Sequence, residues 1–157
     1  IGGGHHLAYC CDFTIAADNA IFGQTGARVG SPADGWYIPY LVQVVGAKRA
    51  REIWLLTREY SAQQALEMGL VNKVVPLDKL DEEVDKWCEE VLDKVPSIIE
   101  IMKATFNAAI EPLVGINRTN LLFPDIIDGP EVKEAQQAFF EKRKPNFWKI
   151  RKSQAGS

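Results

Sequence analysis

Glycine divides the first half of the chain into short pieces, because nine of the twelve glycines lie between residues 1 and 76. Between residues 1 and 76, short apolar runs alternate with turn-forming residues, which permits only short strands and short helices. Residues 77–157 contain longer stretches with apolar residues at three- and four-residue spacing, as in amphipathic helices. This division predicts an α/β core over 1–76, followed by a helical region over 77–157.

Local signals within this division define the predicted elements. Ser61 is a favourable N-cap residue for a helix that starts at Ala62, and Gly69 is typical of a helix end. Trp54 and Trp87 fall on the apolar faces of their helices and are predicted to pack in the core. The predicted order is a helix entered through residues 2–4, strands at 12–18 and 20–23, a loop over 24–39, helices at 47–57 and 62–68, a strand at 71–75, helices at 77–94 and 97–110, irregular chain over 111–129, and a helix at 130–143.

Composition limits the partners and the compartment. The net charge is −3 and the isoelectric point is about 5.4, which argues against general nucleic-acid binding. No apolar run approaches the roughly 20 residues of a transmembrane helix, and the signal-peptide pattern is missing, so no membrane partner is expected. Cys10, Cys11 and Cys88 form no spaced pairs, which is typical of a reducing compartment. We therefore expect a cytoplasmic protein without a metal site.

Three consecutive glycines at residues 2–4 supply the first candidate for a functional site. Backbone N–H groups at the start of a helix can bind a carbonyl oxygen that acquires negative charge, although the same glycines also suit a packing turn. His5 and His6 follow at once and are candidates for acid–base chemistry. A lone histidine is more often an ordinary polar residue, so both interpretations stay open.

Asp34 is a second candidate, because it directly precedes Gly35, Trp36 and Tyr37. An aspartate in a Pro/Gly segment is often a turn residue. A carboxylate among aromatic rings would instead be partly desolvated, which raises its pKa towards the range that a general acid or base requires. The residues alone leave both readings open.

The C-terminal segment is basic and carries aromatic residues. A solvated C-terminus is the plain interpretation, while lysines beside aromatic rings can also neutralise phosphates and stack on a purine. The residues concerned are Lys142, Arg143, Lys144, Phe147, Trp148, Lys149, Arg151 and Lys152.

Together these segments resemble the crotonase superfamily, the enoyl-CoA hydratase/isomerase family. The resemblance covers nearly the whole chain. Within the family, residues 22–26 look most like the 1,4-dihydroxy-2-naphthoyl-CoA synthases, whereas residues 48–54 and 141–145 look like both these synthases and the 2-ketocyclohexanecarboxyl-CoA hydrolases. The segments that carry the family resemblance are 2–5 (GGGH), 11–17 (CDFTIAA), 20–24 (AIFGQ) and 65–76 (ALEMGLVNKVVP).

The resemblance implies an α/β spiral of repeated ββα units, with a helical C-terminal region that builds trimers or hexamers. The chain, which opens at Ile1 without a methionine, corresponds to the second half of a longer member. The family's second oxyanion donor and the adenine-binding loop belong to the N-terminal half. We therefore expect that half to be a partner of this chain, and the fragment alone to be inactive.

The resemblance also implies roles for particular residues. The N–H of Gly3 corresponds to one of the two oxyanion donors. The two hydratase glutamates fall at His6 and Gly26, so this chain has neither of them. An aspartate falls at Ala33 in the naphthoyl-CoA synthases and at Asp34 in dienoyl-CoA isomerases. The catalytic residues are therefore predicted to be Gly3, Asp34 and His6.

Two binding sites follow from the same resemblance. Some synthases hold a bicarbonate where a catalytic carboxylate would otherwise sit, and that anion site maps here to Gln24, Thr25, Gly26 and Trp54. The basic tail of relatives lies near the CoA of a neighbouring subunit. The predicted substrate- and CoA-binding residues are Gly2, Gly26, Trp36, Tyr37, Lys142 and Lys144.

The resemblance implies an enzyme that stabilises the enolate of an acyl-CoA thioester. Loss of both glutamates, together with Trp36 and Tyr37, favours a cyclic or aromatic acyl group that undergoes ring closure, ring opening, hydration or isomerisation. No tightly bound cofactor is expected apart from CoA as part of the substrate and a bicarbonate ion. The alternatives are a straight-chain enoyl-CoA hydratase/isomerase, a non-catalytic CoA-binding homologue and an RNA-binding member.

Overall fold

The computed structural model describes residues 1–31, 35–114, 125 and 128–154. Short strands and helices alternate up to residue 75, and helices follow. In chain order the elements are α1 (Gly3–Cys10), β1 (Ile15–Ala17), β2 (Ile21–Gly23), α2 (Gly26–Val29), α3 (Tyr37–Val45), α4 (Ala47–Leu56), β3 (Glu59–Ser61), α5 (Ala62–Glu67), β4 (Lys73–Val75), a 3-10 turn (Leu77–Lys79), α6 (Leu80–Leu92), α7 (Pro96–Ala108), α8 (Glu111–Val114), α9 (Pro130–Phe140) and α10 (Phe147–Gln154).

The strands form two small sheets. β1 pairs in parallel with β4, with Ile15 opposite Lys73 and Ala17 opposite Val75. β2 pairs with β3 in antiparallel orientation, with Gly23 opposite Glu59. A parallel pair needs a long crossover, and α2 to α5 provide it between β1 and β4. The strands are shorter than the runs 12–18 and 71–75 predicted from the sequence.

The hydrophobic core lies between α1, α3, α4 and the two sheets. Leu41 of α3 and Ile53 of α4 are fully buried, and these two helices pack against each other. Trp54 is also buried, as the apolar face of its helix predicted. The other members of this core are Tyr9, Ala16, Phe22, Ala50, Tyr60, Ala62, Ala65, Leu70 and Val71.

The helix predicted over 62–68 is confirmed as α5. The hydroxyl of Ser61 accepts a hydrogen bond from the Gln64 N–H at 3.3 Å, and the Ser61 N–H donates to Oε1 of Gln64 at 3.0 Å. This reciprocal pair is a capping box. Gly69 follows with φ of +76°, the left-handed conformation that commonly ends a helix.

The prediction of a loop over 24–39 is wrong in two places. Gly26–Val29 forms the helical turn α2, and Tyr37 already begins α3. Pro39 was expected to keep this segment irregular, but it is the third residue of α3. In the first turn of a helix the N–H has no partner within the helix, so proline costs little there.

The prediction that Trp87 packs in the core is wrong. Its ring lies edge-on to Phe13, with centroids 5.4 Å apart, and its Nε1–H donates to Glu83 at 2.9 Å. The apolar faces of α6 and α7 remain largely exposed, with Leu92 and Phe106 among the most exposed residues. They line an apolar cavity of about 660 Å³ beside β1. Periodicity identified these helices correctly but did not reveal what covers their apolar faces.

The C-terminal helix α9 packs directly on the turn after α2. A Cβ placed on Gly30 would lie 2.9 Å from the Cβ of Ala135 and 2.9 Å from the carbonyl oxygen of Val132. Only glycine permits this approach. α9 ends at Phe140 rather than near Arg143, and the basic tail forms a further helix, α10, which sequence reasoning missed. None of the described helices has the length and apolar character needed to cross a bilayer.

Candidate active site

The N-terminus of α1 presents a free backbone N–H at Gly3. Gly2 takes a left-handed φ of +60°, donates its own N–H to the Gly23 carbonyl at 3.0 Å and accepts the His6 N–H at 3.1 Å. The Gly3 N–H, as the first of the helix, has no acceptor within the described residues. A Cβ at Gly3 or Gly4 would meet nothing within 4 Å. This end of α1 is therefore open to an anionic oxygen.

His6 lies between two aromatic rings from different helices. Its imidazole stacks on Tyr37, with centroids 4.6 Å apart and planes at 27°, and on Trp54, with centroids 5.3 Å apart and planes at 26°. Tyr37 begins α3 and Trp54 belongs to α4, so three helices meet at this ring. The stack holds His6 in one orientation, about one helical turn along α1 from the free N–H of Gly3.

The stack contains polar atoms that lack partners. Nε2 of His6 and Nε1 of Trp54 are buried, and neither has a hydrogen-bond partner in the described part of the chain. Burial lowers the pKa of His6 below its usual value, while the side chain of Gln24 opposes this shift in part. His6 is therefore neutral near pH 7. Buried unpaired groups are costly, which makes this cluster a candidate for ligand binding.

His5 has a different environment from His6. Its ring is 1% exposed and lies edge-on to Tyr9 and Phe22, at centroid distances of 5.3 and 5.9 Å. Burial lowers the pKa of His5 to about 4, opposed by the backbone of Gly23. Neither ring nitrogen has a hydrogen bond of good geometry to a described residue. The residue pattern alone left both histidines open and the resemblance selected His6, and in the structure it is His6 that stacks with Tyr37 and Trp54.

The four residues predicted to bind an anion lie together next to Gly2 and His6. Gln24 is 2% exposed, and its Nε2 donates to the Gly2 carbonyl at 3.4 Å. A Cβ on Gly2 would lie 3.6 Å from the hydroxyl of Thr25. A Cβ on Gly26 would lie 3.5 Å from Cζ3 of Trp54 and 2.8 Å from the Ser31 carbonyl oxygen. A glutamate at position 26 would therefore require the backbone at Ser31 to move.

The remaining predicted residues around the acyl group are aromatic. Trp36 is partly buried and packs against Tyr40, with centroids 5.6 Å apart. The hydroxyl of Tyr9 donates to the Tyr37 carbonyl at 3.1 Å, which fixes the start of α3 and with it the Tyr37 ring. Asp34, the predicted acid–base residue, lies outside the described residues.

Basic residues surround a second cavity beside Thr25. This cavity, of about 460 Å³, is lined by Arg28, Lys142 and Lys144 and walled by Phe139. Neither lysine has an ion-pair partner in the described ranges. Sequence reasoning named both lysines and missed Arg28, because nothing local indicates that α2 faces the tail.

Arg143 lies between the two lysines and is already neutralised. It donates to Glu134 at 2.6 and 3.1 Å, and the same carboxylate accepts the Asn146 N–H at 2.9 Å. These donors lower the pKa of Glu134 to about 2. These hydrogen bonds to Glu134 fix the turn after α9, which carries Lys142 and Lys144. Over the described ranges, no group of three His, Cys, Asp or Glu side chains is arranged to hold a metal ion.

Comparison with known proteins identifies the family. The sequence profile described as "Enoyl-CoA hydratase/isomerase" matches residues 1–150. The chain belongs to the enoyl-CoA hydratase/isomerase family, and the predicted crotonase-like α/β fold is confirmed.

Solved structures agree with this assignment. A methylmalonyl-CoA decarboxylase in complex with 2-nitronate-propionyl-CoA matches with a TM-score of 0.84 and 27% identity, over 92% of this chain and 57% of its own. An enoyl-CoA hydratase from Mycobacterium avium subsp. paratuberculosis matches with a TM-score of 0.81 and 30% identity, over 92% of this chain and 60% of its own. A carnitinyl-CoA hydratase from Mycobacterium avium matches with a TM-score of 0.79 and 28% identity, over 92% of this chain and 57% of its own. The chain thus spans less than two thirds of each of these relatives.

Proposed function

We propose that the chain forms part of an enzyme that converts an acyl-CoA thioester through an enolate. The observation that carries this proposal is the free N–H of Gly3 at the start of α1, beside the buried stack around His6. An N–H aimed at the thioester oxygen stabilises the charge that develops there, by roughly 3–4 kcal/mol per donor in comparable oxyanion holes. The second donor would come from a segment that corresponds to the N-terminal half of longer family members.

We propose a cyclic or aromatic acyl group. The stacked rings of Tyr37, His6 and Trp54 form an aromatic cluster next to the start of α1, and this cluster supports a ring-shaped acyl group. The position of Gly26 is closed to a glutamate by Ser31, which disfavours hydration by two glutamates. The resemblance to the naphthoyl-CoA synthases and ketocyclohexanecarboxyl-CoA hydrolases supports the same substrate class. The reaction would be ring closure, ring opening or hydration.

Proton transfer is assigned to Asp34, with His6 as the second candidate. A neutral imidazole can accept or donate a proton at its unpartnered Nε2. A bicarbonate ion is proposed at Gln24, Thr25, Gly26 and Trp54. The unpartnered Nε1–H of Trp54 supports an anion there, because a buried donor requires an acceptor.

The CoA phosphates are assigned to the basic cavity. Arg28, Lys142 and Lys144 surround it, and charged donors bind phosphate strongly. The exposed apolar faces of α6 and α7 support a trimer or hexamer, since a surface of this kind usually marks an interface. The free cysteines Cys10 and Cys11 suit a reducing cytoplasm.

The test is turnover by the native protein of linear, cyclic and aromatic acyl-CoA thioesters, with product masses read by mass spectrometry. Gain of water indicates a hydratase or ring-opening hydrolase, and loss of water a ring-closing synthase. Turnover of linear enoyl-CoA alone would contradict the proposed acyl group. Binding without turnover would indicate a non-catalytic CoA-binding homologue. Asp34→Asn is expected to abolish turnover and leave CoA affinity nearly unchanged, and full activity of that variant would overturn the role of Asp34.

A further inference from the structure

We propose that Glu131 is a second proton-transfer group of this site, a role that rests on the enolate function proposed above. Glu131 lies in the first turn of α9, far from the glycine-rich start of the chain in sequence. The fold brings it next to Gly26, the position at which hydratases of the family carry a glutamate. In this chain α9 would therefore supply the carboxyl group from a different element.

The structure leaves open space beside Gly26. A side chain at Gly26 would collide with the Ser31 carbonyl, but a cavity of about 190 Å³ opens next to it. One wall of the cavity is the α2 turn, with Gly26 and Gly30, and the other is α9, with Glu131 and Val132. At roughly 30 Å³ per water, this volume accommodates several waters or part of a substrate.

Glu131 is the one ionisable residue among the described residues that line this cavity. The other lining residues are glycine, alanine, serine, valine and phenylalanine. Glu131 is partly buried and has no hydrogen bond or ion pair to a described residue. Its carboxylate therefore has no partner among the described residues and is open to a group bound in the cavity.

Glu134, one turn further along α9, provides the contrast. Its carboxylate accepts two bonds from Arg143 and one from the Asn146 backbone, which hold it ionised. It is therefore a structural anion. Glu131 lies on the same helix and lacks every one of these partners.

Gly26 links the cavity to the proposed oxyanion site, because it lines the cavity and also lies against Trp54 of the aromatic stack. Gly26 directly follows Thr25, whose hydroxyl lies 3.6 Å from the Cβ position of Gly2. The indole of Trp54 approaches Gly26 from the other side, at 3.5 Å from its Cβ position. An acyl group held at Gly3 and against the aromatic stack would thus have Gly26 and its cavity at its edge.

The step is a proton transfer. The Glu131 carboxylate takes a proton from a carbon of the acyl group, and that C–H bond breaks. Its electron pair moves into the thioester, where the oxygen becomes the enolate oxygen held by the Gly3 N–H. The carboxylic acid then returns its proton to an acyl carbon, the enolate collapses to the thioester, and the carboxylate is restored.

The experiment follows hydrogen exchange at the α-carbon in D₂O. Butyryl-CoA and cyclohexanecarbonyl-CoA are incubated with the native protein, and mass spectrometry records the gain of one mass unit per exchanged hydrogen. Glu131→Gln is expected to slow exchange by about 10²-fold or more, since general acid–base catalysis contributes about 10²–10⁴. Glu131→Asp keeps the carboxyl group and is expected to retain part of the rate. Glu100→Gln, an exposed glutamate on α7, is the matched control.

The outcomes separate this role from the function on which it rests. If the native protein exchanges a thioester and Glu131→Gln does so at the same rate, the role of Glu131 is overturned while the enolate function stands. If the native protein exchanges neither thioester, the proposed function is overturned and the role of Glu131 with it. A lower rate in Glu131→Gln with unchanged thioester affinity and an unchanged melting temperature supports proton transfer over a packing role.

Discussion

The imidazole of His6 lies stacked on the indole of Trp54, with ring centroids 5.3 Å apart and planes at 26°. His6 belongs to α1, whose first residue presents the free N–H of Gly3, and Trp54 belongs to α4 in the core. The stack thus ties the proposed oxyanion site to the hydrophobic core. It also leaves two ring N atoms, Nε2 of His6 and Nε1 of Trp54, without partners among the described residues.

Two substitutions at His6 distinguish the contribution of its ring to packing from the contribution of its nitrogens. His6→Phe keeps a ring between Tyr37 and Trp54 and removes the buried Nε2, so we expect stability equal to or above that of the native protein. His6→Ala leaves a cavity between the two rings, and we expect a loss of about 2–4 kcal/mol in the free energy of unfolding, as for other large-to-small core changes. Urea denaturation measures both.

Turnover of the same two variants tests the chemistry of the ring. If Nε2 takes part, His6→Phe folds normally and loses activity. If His6→Phe retains native kcat, the ring is only a packing element and its place among the proposed catalytic residues is wrong.

A side chain at Gly26 is expected to be destabilising. The Cβ of Gly26→Ala would lie 2.8 Å from the Ser31 carbonyl oxygen, and relief of such crowding typically costs about 1–3 kcal/mol. The matched control is Gly4→Ala, because its Cβ meets nothing within 4 Å and the residue lies within α1. There, alanine is expected to stabilise by about 0.5–1 kcal/mol through its better helix propensity. Equal thermal midpoints for the two variants would contradict the packing described around Gly26.

The buried ring of His5 makes stability depend on pH. Its pKa falls from the usual 6.5 to about 4 in the folded protein, so between these values the unfolded chain binds a proton that the folded chain does not. Stability therefore decreases as the pH falls from 6.5 to 4, by up to about 3 kcal/mol. His5→Phe removes this contribution, and its free energy of unfolding should fall less over the same range. Parallel curves for the native protein and His5→Phe would refute the assignment.

We expect substitutions of lysines in the basic cavity to weaken acyl-CoA binding without slowing the chemical step. Lys142→Gln and Lys144→Gln are each expected to raise KM for an acyl-CoA several-fold and leave kcat nearly unchanged. The effect should shrink at high salt, because exposed charges are screened. Lys94→Gln, at an exposed lysine two residues after α6, is the matched control. Lysine variants that lower kcat and leave KM unchanged would contradict a role in CoA binding.

The sequence predicted best those features that depend on neighbouring residues. The capping box between Ser61 and Gln64 acts over three residues, so the start of α5 could be derived locally. Features that depend on distant packing were missed. The burial of Trp87 depends on what covers α6, and the start of α3 was obscured by Pro39, whose first-turn position could not be recognised in advance.

The residues of the candidate site also fall into those that could be found from neighbouring residues and those that depend on distant packing. The glycines at 2–4 and His6 were found because they are adjacent in the chain and match a family pattern. The separation of His5 from His6 depends on which face of α1 meets the core. Arg28 and Glu131 were missed because they reach their cavities only through the packing of α9 on α2. No local pattern around either residue indicates that contact.

The most direct test of the enolate function removes the N–H of Gly3. Proline is well tolerated at the first position of a helix, so Gly3→Pro should fold while it lacks this donor, and Gly3→Ala keeps the donor with its Cβ in open space. We predict that Gly3→Pro slows α-hydrogen exchange of an acyl-CoA in D₂O by about 10²–10³-fold, the usual effect of one lost oxyanion donor. Gly3→Ala should remain close to native. Equal exchange rates for the two variants would contradict the assignment of Gly3 as an oxyanion donor.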